Sequence, residues 1–316
     1  MSKIPLRLTL RPGIEHLDVQ PAITDEKKLE ALTLRLLTPA DGHLIERSTL
    51  VTCGGELKAL YLKAETHQPI RVSRYNYALK ALRLMAERKA FKPSKDSDRP
   101  MIRQNLIGGE LLAGWLRPRN TKREDWLRKA DRNHLFLAMR LVPLMRDCEW
   151  AMRNHLHDYY WNVHLPQAYR MVRPPDQKFK TLHKVKDPFQ RMMLERWDAT
   201  RYYHFLGTQA FSTLTLNYNI LFGAHDDGSN APGTLGCLTA LGDYVKGSGL
   251  LCFPRLGVMF DLRPGNLLIA DTNTEYHATV GGIIGERYSV VAYLHKTLLP
   301  KKVNGFGSRL PRGMRQ

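Results

Sequence analysis

Three stretches decide the reading of this chain: FSTLTLNYNILFGAHDDGSN (residues 211–230), GLLCFPRLGVMFDLRPGNLLIADTNTEYH (249–277) and GERYSVVAYLH (285–295). Apolar residues alternate with polar ones, and Gly and Pro break the runs into short pieces. Many short strands with tight turns predict a jelly-roll or barrel. Within this frame His225, Asp227 and His277 have the order and chemistry of a two-histidine, one-carboxylate iron site. Such a facial set leaves three metal positions open, two for a 2-oxo acid and one for dioxygen.

The triplet His-x-Asp means little by itself. A chain with 12 His and 30 acidic residues yields about one by chance, and His16-Leu17-Asp18 is such a decoy. His225-Asp226-Asp227 differs because an alternating strand ending at Gly223 precedes it and the turn-prone GSNAPG follows. His277 then stands at a strand end, after PGNLLIADT. Asp226 is an alternative ligand, but the i, i+2 spacing puts Asp227 on the same side as His225. Imidazole suits ferrous iron, and a single carboxylate leaves the site net positive, able to attract an anionic cosubstrate.

Arg287, Ser289, Val291 and Tyr293 share one face of the last strand. An arginine there can grip a carboxylate with two hydrogen bonds and a serine can add a third. The plain alternative for Arg287 is a surface cation, and Arg71-Val72-Ser73 shows that Arg-x-Ser alone is not diagnostic. Tyr293 and His295, read alone, are a core tyrosine and a strand-end histidine. With Asn230 they supply a stacking ring and two hydrogen-bonding groups, the equipment for a flat, polar-edged substrate such as an extruded base.

Upstream, TDEKKLEALTLRLL from Thr24 predicts a capped amphipathic helix and LVTCGGELKALYLK a hairpin around Gly54-Gly55. Leu6, Leu8 and Leu10 suggest a strand. YALKALRLMAERKAF has helical periodicity. Thr121 and Glu124 fit a capping box, and Pro143 is expected to kink or break the helix that follows. The 316 residues carry a formal net charge of +18, with pI near 9.9. That excess points to a polyanionic partner, most often nucleic acid. Cys53, Cys148, Cys237 and Cys252 form no CxxC pair, so free thiols are expected rather than a zinc knuckle or disulfides. No stretch approaches the length of a membrane span and no cleavable leader is visible, which predicts a soluble intracellular protein.

At these residues the sequence resembles the TET/JBP family of iron(II)- and 2-oxoglutarate-dependent base oxygenases. The resemblance covers about residues 205–298. The family's HxDxxN element reads here as His225 to Asn230, its distal histidine as His277, and its R-x-S-x-x-x-Y-x-H strand as Arg287 to His295. The resemblance implies an α+β protein with a double-stranded β-helix (jelly-roll) core of residues 201–298. A mixed, largely helical basic region (1–200) would buttress it, and a basic tail (299–316) would follow. It further implies a dioxygenase using Fe(II), 2-oxoglutarate and O2, with ascorbate as reductant, that hydroxylates the methyl of 5-methylcytosine in DNA. Iron would sit on His225, Asp227 and His277, and 2-oxoglutarate on Arg287 and Ser289. Tyr293 would stack on the flipped base, with Asn230 and His295 at its edge. The cysteine-rich zinc region of animal TET proteins is absent, and the basic segment 71–200 and the C-terminal arm are the candidates for gripping DNA. No obligatory protein partner is implied. Thymine hydroxylation, prolyl-type protein hydroxylation and a catalytically silent DNA-binding module are the rival readings.

Overall fold

The computed structural model describes residues 11–32, 37–91, 101–103, 109–114, 137, 140–170 and 208–299. The expected strand at Leu6–Leu10, the Thr121/Glu124 capping box and residues 300–316 of the basic tail lie outside them.

Among the described residues the strands are β1 (Glu15–Val19), β2 (His43–Ile45), β3 (Thr49–Cys53), β4 (Glu56–Leu62), β5 (Met101–Arg103), β6 (Gly109–Gly114), β7 (Thr213–Tyr218), β8 (Ile220–Phe222), β9 (Gly236–Leu241), β10 (Leu250–Phe253), β11 (Val258–Phe260), β12 (Leu267–Ala270), β13 (Ala278–Val280) and β14 (Tyr288–Tyr293). β3, β4, β7, β9 to β12 and β14 fall on the alternating stretches expected to be strands, whereas β1, β2, β5 and β6 lie in the region expected to be mixed and largely helical. They assemble into an eight-stranded sheet ordered β1-β3-β4-β12-β9-β14-β7-β6, a four-stranded sheet β13-β10-β11-β2, and the pair β5-β8. The hairpin at Gly54-Gly55 is present. Both glycines have positive φ, 58° and 75°, which the tight two-residue connection needs.

Strands buried on both faces explain why these runs are so apolar. Along β4, Ala59 and Tyr61 enter the cluster between the two sheets while Leu60 and Leu62 enter a second cluster on the outer face. Along β12, Leu268 and Ala270 point inward while Leu267 and Ile269 point outward. The inner cluster joins Tyr61, Leu238, Phe253, Phe260 and Leu268. The outer one packs against helices α3 (Val72–Glu87) and α4 (Val142–His155), through residues such as Leu82, Met85, Leu144 and Met152. The buried Asp147 ties the two helices by accepting from Arg74 Nη1 at 2.5 Å and from the Arg71 amide at 3.1 Å.

A short helix, α1 (Glu26–Leu32), covers the smaller sheet, with Leu29 and Leu32 in a cluster with Cys252, Met259 and Val280. It begins two residues after Thr24, and Asp25 Oδ1 takes the Lys27 amide. Pro143 lies in the first turn of α4, where its missing N–H breaks no helical bond. It therefore opens this helix instead of kinking it. Between β4 and α3 runs the one-turn α2 (Ala64–His67). Beyond α4 come α5 (His157–Tyr159), a π turn (Tyr160–His164) and α6 (Leu165–Arg170). The four cysteines are buried and form no disulfide. No helix among the described residues is long and apolar enough to cross a membrane.

Candidate active site

His225 follows β8 and His277 precedes β13. Their main chains form an isolated antiparallel bridge, with N–H···O distances of 3.1 and 2.8 Å. That pairing brings the two rings to 4.5 Å between centroids. Each imidazole places Nδ1 against a backbone carbonyl, Gly223 O at 2.8 Å for His225 and Glu275 O at 3.1 Å for His277. A carbonyl only accepts, so Nδ1 carries the hydrogen and Nε2 keeps its lone pair. Asp227 lies between them, Oδ1 at 3.9 Å from His225 Nε2 and Oδ2 at 3.7 Å from His277 Nε2. All three donor groups fall within 4.8 Å of one another, the reach of one ion with bonds of about 2.1 Å and a slight inward closure. Phe222 and Phe253 wall the two rings at 5.5 and 5.8 Å. Asp226 is exposed and outside the cluster; its Oδ1 takes the Gly228 amide. The decoy His16 and Asp18 instead share the Thr52 hydroxyl across β1 and β3.

Arg287 immediately precedes β14 and is 5% exposed. Its amide donates to Asn219 Oδ1 at 2.7 Å, and the Asn219 amide donates back to its carbonyl. The guanidinium lies 5.7 Å from the Tyr244 ring centroid. Gly249, at φ +64°, packs so closely that an added Cβ would meet Arg287 Cδ at 3.1 Å. Among the described residues Arg287 Nε has no hydrogen-bond partner. Burial pulls its pKa down from the ordinary value, with Tyr244 and Asp261 opposing. A buried cation with an open donor is costly until an anion meets it. Ser289, next on that face, accepts from Asn217 Nδ2 at 3.1 Å, which leaves its own O–H to donate elsewhere.

Asn230, Tyr293 and His295 also come together. Asn230 and His295 form an isolated bridge, and the Tyr293 and His295 rings lie 5.9 Å apart. Thr215 Oγ1 reaches Tyr293 OH at 3.5 Å. Asn230 is 1% exposed, with Nδ2 on Thr272 Oγ1 at 3.0 Å and, among the described residues, no hydrogen-bond partner on Oδ1.

Several supporting residues escaped the sequence reading. Tyr244, Asn217 and Asn219 surround Arg287 and Ser289 yet look like ordinary turn and strand residues. The turn Asp271–Thr274 had a signal, since Asp followed three residues later by Thr suits the side-chain-capped turn seen here. Lys58, buried and paired to Glu275 at 2.9 Å, had none.

No family model matches the chain. The bifunctional helicase and thymine dioxygenase JBP2 of Leishmania infantum and that of Leishmania major are each 29% identical to it over 157 residues. The match takes in 49% of this chain but only 13% of either relative's length. Among solved structures, NgTET1 in complex with 5mC DNA superposes with a TM-score of 0.50 at 11% identity, over 88% of this chain and 93% of that one. The fold is therefore the double-stranded β-helix of the iron(II)/2-oxoglutarate oxygenases, of α+β class. In sequence the chain is similar to part of JBP2, and in fold it is similar to NgTET1.

Proposed function

We propose that the protein is an iron(II)- and 2-oxoglutarate-dependent dioxygenase that hydroxylates the methyl group of 5-methylcytosine in DNA. The observation that carries this reading is the convergence of His225, Asp227 and His277 within 4.8 Å, both imidazoles turning Nε2 toward Asp227. When bound, iron with 2-oxoglutarate and dioxygen supplies the oxidising power, releasing succinate and carbon dioxide. The chain's own residues do the rest. The two Nε2 atoms and the Asp227 carboxylate hold the metal. Arg287, backed by Tyr244 and Gly249, takes the far carboxylate of 2-oxoglutarate, and Ser289 adds a hydroxyl donor. Phe222 and Phe253 keep bulk water from the histidines. Tyr293 stacks on the extruded base, while His295 and Asn230 meet its polar edge. Lys and Arg outside the core hold DNA phosphates.

The Leishmania relatives, named bifunctional helicases and thymine dioxygenases, favour thymine as the second reading. Nucleoside mass spectrometry separates the two. The full chain is incubated with iron, ascorbate, 2-oxoglutarate and duplexes carrying either 5-methylcytosine or thymine alone. Hydroxymethylcytosine is expected. Hydroxymethyluracil alone supports the second reading, and no oxidised base from either duplex removes both.

A further inference from the structure

We propose that the buried Lys58–Glu275 ion pair is a positioning device for metal binding, contributed by a strand far from the ligands in sequence. The inference rests on the reading of His225, Asp227 and His277 as a metal site. The segment 271–277 touches every part of that site. The Glu275 carbonyl accepts His277 Nδ1–H at 3.1 Å, the Thr272 carbonyl accepts the Asp227 amide at 2.7 Å, and Thr272 Oγ1 accepts from Asn230. Two ligands and one candidate base contact therefore inherit their places from this one segment.

Lys58, on β4, grips the segment twice. Its carbonyl accepts the Asp271 amide at 2.9 Å. Its ammonium reaches Glu275 Oε1 at 2.9 Å, with the lysine side chain 9% exposed and the glutamate side chain fully buried. Arg255 adds a longer contact to the same oxygen at 3.5 Å. Glu275 Oε2 has no hydrogen-bond partner among the described residues. An ion pair buried this deeply adds little net stability over a packed apolar pair, because both charges lose water. It is directional, however. Here the direction it imposes is that of the carbonyl orienting the His277 ring, and outer contacts to ligand imidazoles govern metal affinity.

The test uses the full chain and Co(II) as the probe, titrated without oxygen. Visible absorption reports ligand geometry; circular dichroism and thermal unfolding report folding. Lys58→Met is expected to weaken Co(II) binding about 10- to 100-fold and to alter its visible spectrum, while the far-ultraviolet spectrum stays native. Lys58→Arg should recover most of the affinity. Glu275→Gln, nearly the same size, provides the measurement should Lys58→Met fail to fold. Folded variants that bind Co(II) like the wild type, with the same spectrum, overturn the inference alone. A wild type that binds no Co(II) overturns the metal-site reading and this inference with it.

Discussion

One proton position organises the candidate metal site. Because Gly223 O and Glu275 O accept from Nδ1 of His225 and His277, both Nε2 lone pairs face Asp227. Neighbouring carboxylates are not equivalent there: Asp226 is exposed and spent on a turn, and Asp227 is enclosed. Asp227→Ala is expected to abolish base oxidation while DNA affinity stays nearly intact, since affinity rests on phosphates; Asp226→Ala should stay active. Turnover and DNA-binding assays on both variants check this, and activity surviving in Asp227→Ala would reassign the ligand. Arg287→Ala should raise the KM for 2-oxoglutarate by about 10- to 100-fold, the worth of hydrogen bonds to a charged group. Steady-state kinetics at saturating DNA measures it, and an unchanged KM would move the carboxylate site elsewhere.

The central strands β4, β9, β12 and β14 are simple devices with two largely buried faces. On β14, Tyr288, Val290 and Ala292 pack toward the helices, while Val291 packs inward between Ser289 and Tyr293. A one-residue slip would exchange the faces and bury the wrong set. The helical layer contributes a buried titratable group. His164, in the π turn, is fully buried, with Nε2 on Ala210 O at 2.7 Å. Burial lowers its pKa to about 4, the Ala210 contact opposing. The unfolded ring takes its proton near pH 6.5, so stability is complete above that pH. It falls as pH drops from 6.5 toward 4, where the folded ring also protonates. Between pH 7 and 5 this single group should cost about 2 kcal/mol, and half-buried His155 acts in the same direction. Urea unfolding at the two pH values measures the loss. His164→Asn should shrink the difference, and an undiminished difference would assign the acid sensitivity to other groups.

Charge acts over the entire protein. A formal net charge of +18 suits a partner carrying one phosphate per step. Binding to duplex DNA should weaken linearly in log–log form as salt rises, with a slope of about −0.9 per phosphate neutralised. Fluorescence anisotropy from 50 to 300 mM salt checks it, and a flat response would argue against phosphate-led binding. The large sheet draws on residues 15–114 as well as 213–293. β3 and β4 extend it past β12, and β2 joins the smaller sheet. The hairpin at Gly54-Gly55 was legible from its glycines and alternation, but its docking on β12 was not, because pairing partners leave no local mark. The triad was legible because strand ends and turns are written in Gly, Pro and alternation, and ligand chemistry lies in residue types. Lys58, Tyr244 and Asn217 were not, for each contact spans a separation that no local period encodes. Sequence alone determined the Gly54-Gly55 hairpin, most strands from residue 213 on and the three candidate metal-binding side chains, since these follow from short-range sterics, hydrophobic patterning and residue type. Only tertiary structure decided which nitrogen of each histidine faces Asp227, that Arg287 is buried with an open Nε, and that Lys58 of β4 pairs with Glu275 beside His277. Those depend on long-range packing, where the partner's position, and not the residue's type, determines what it does.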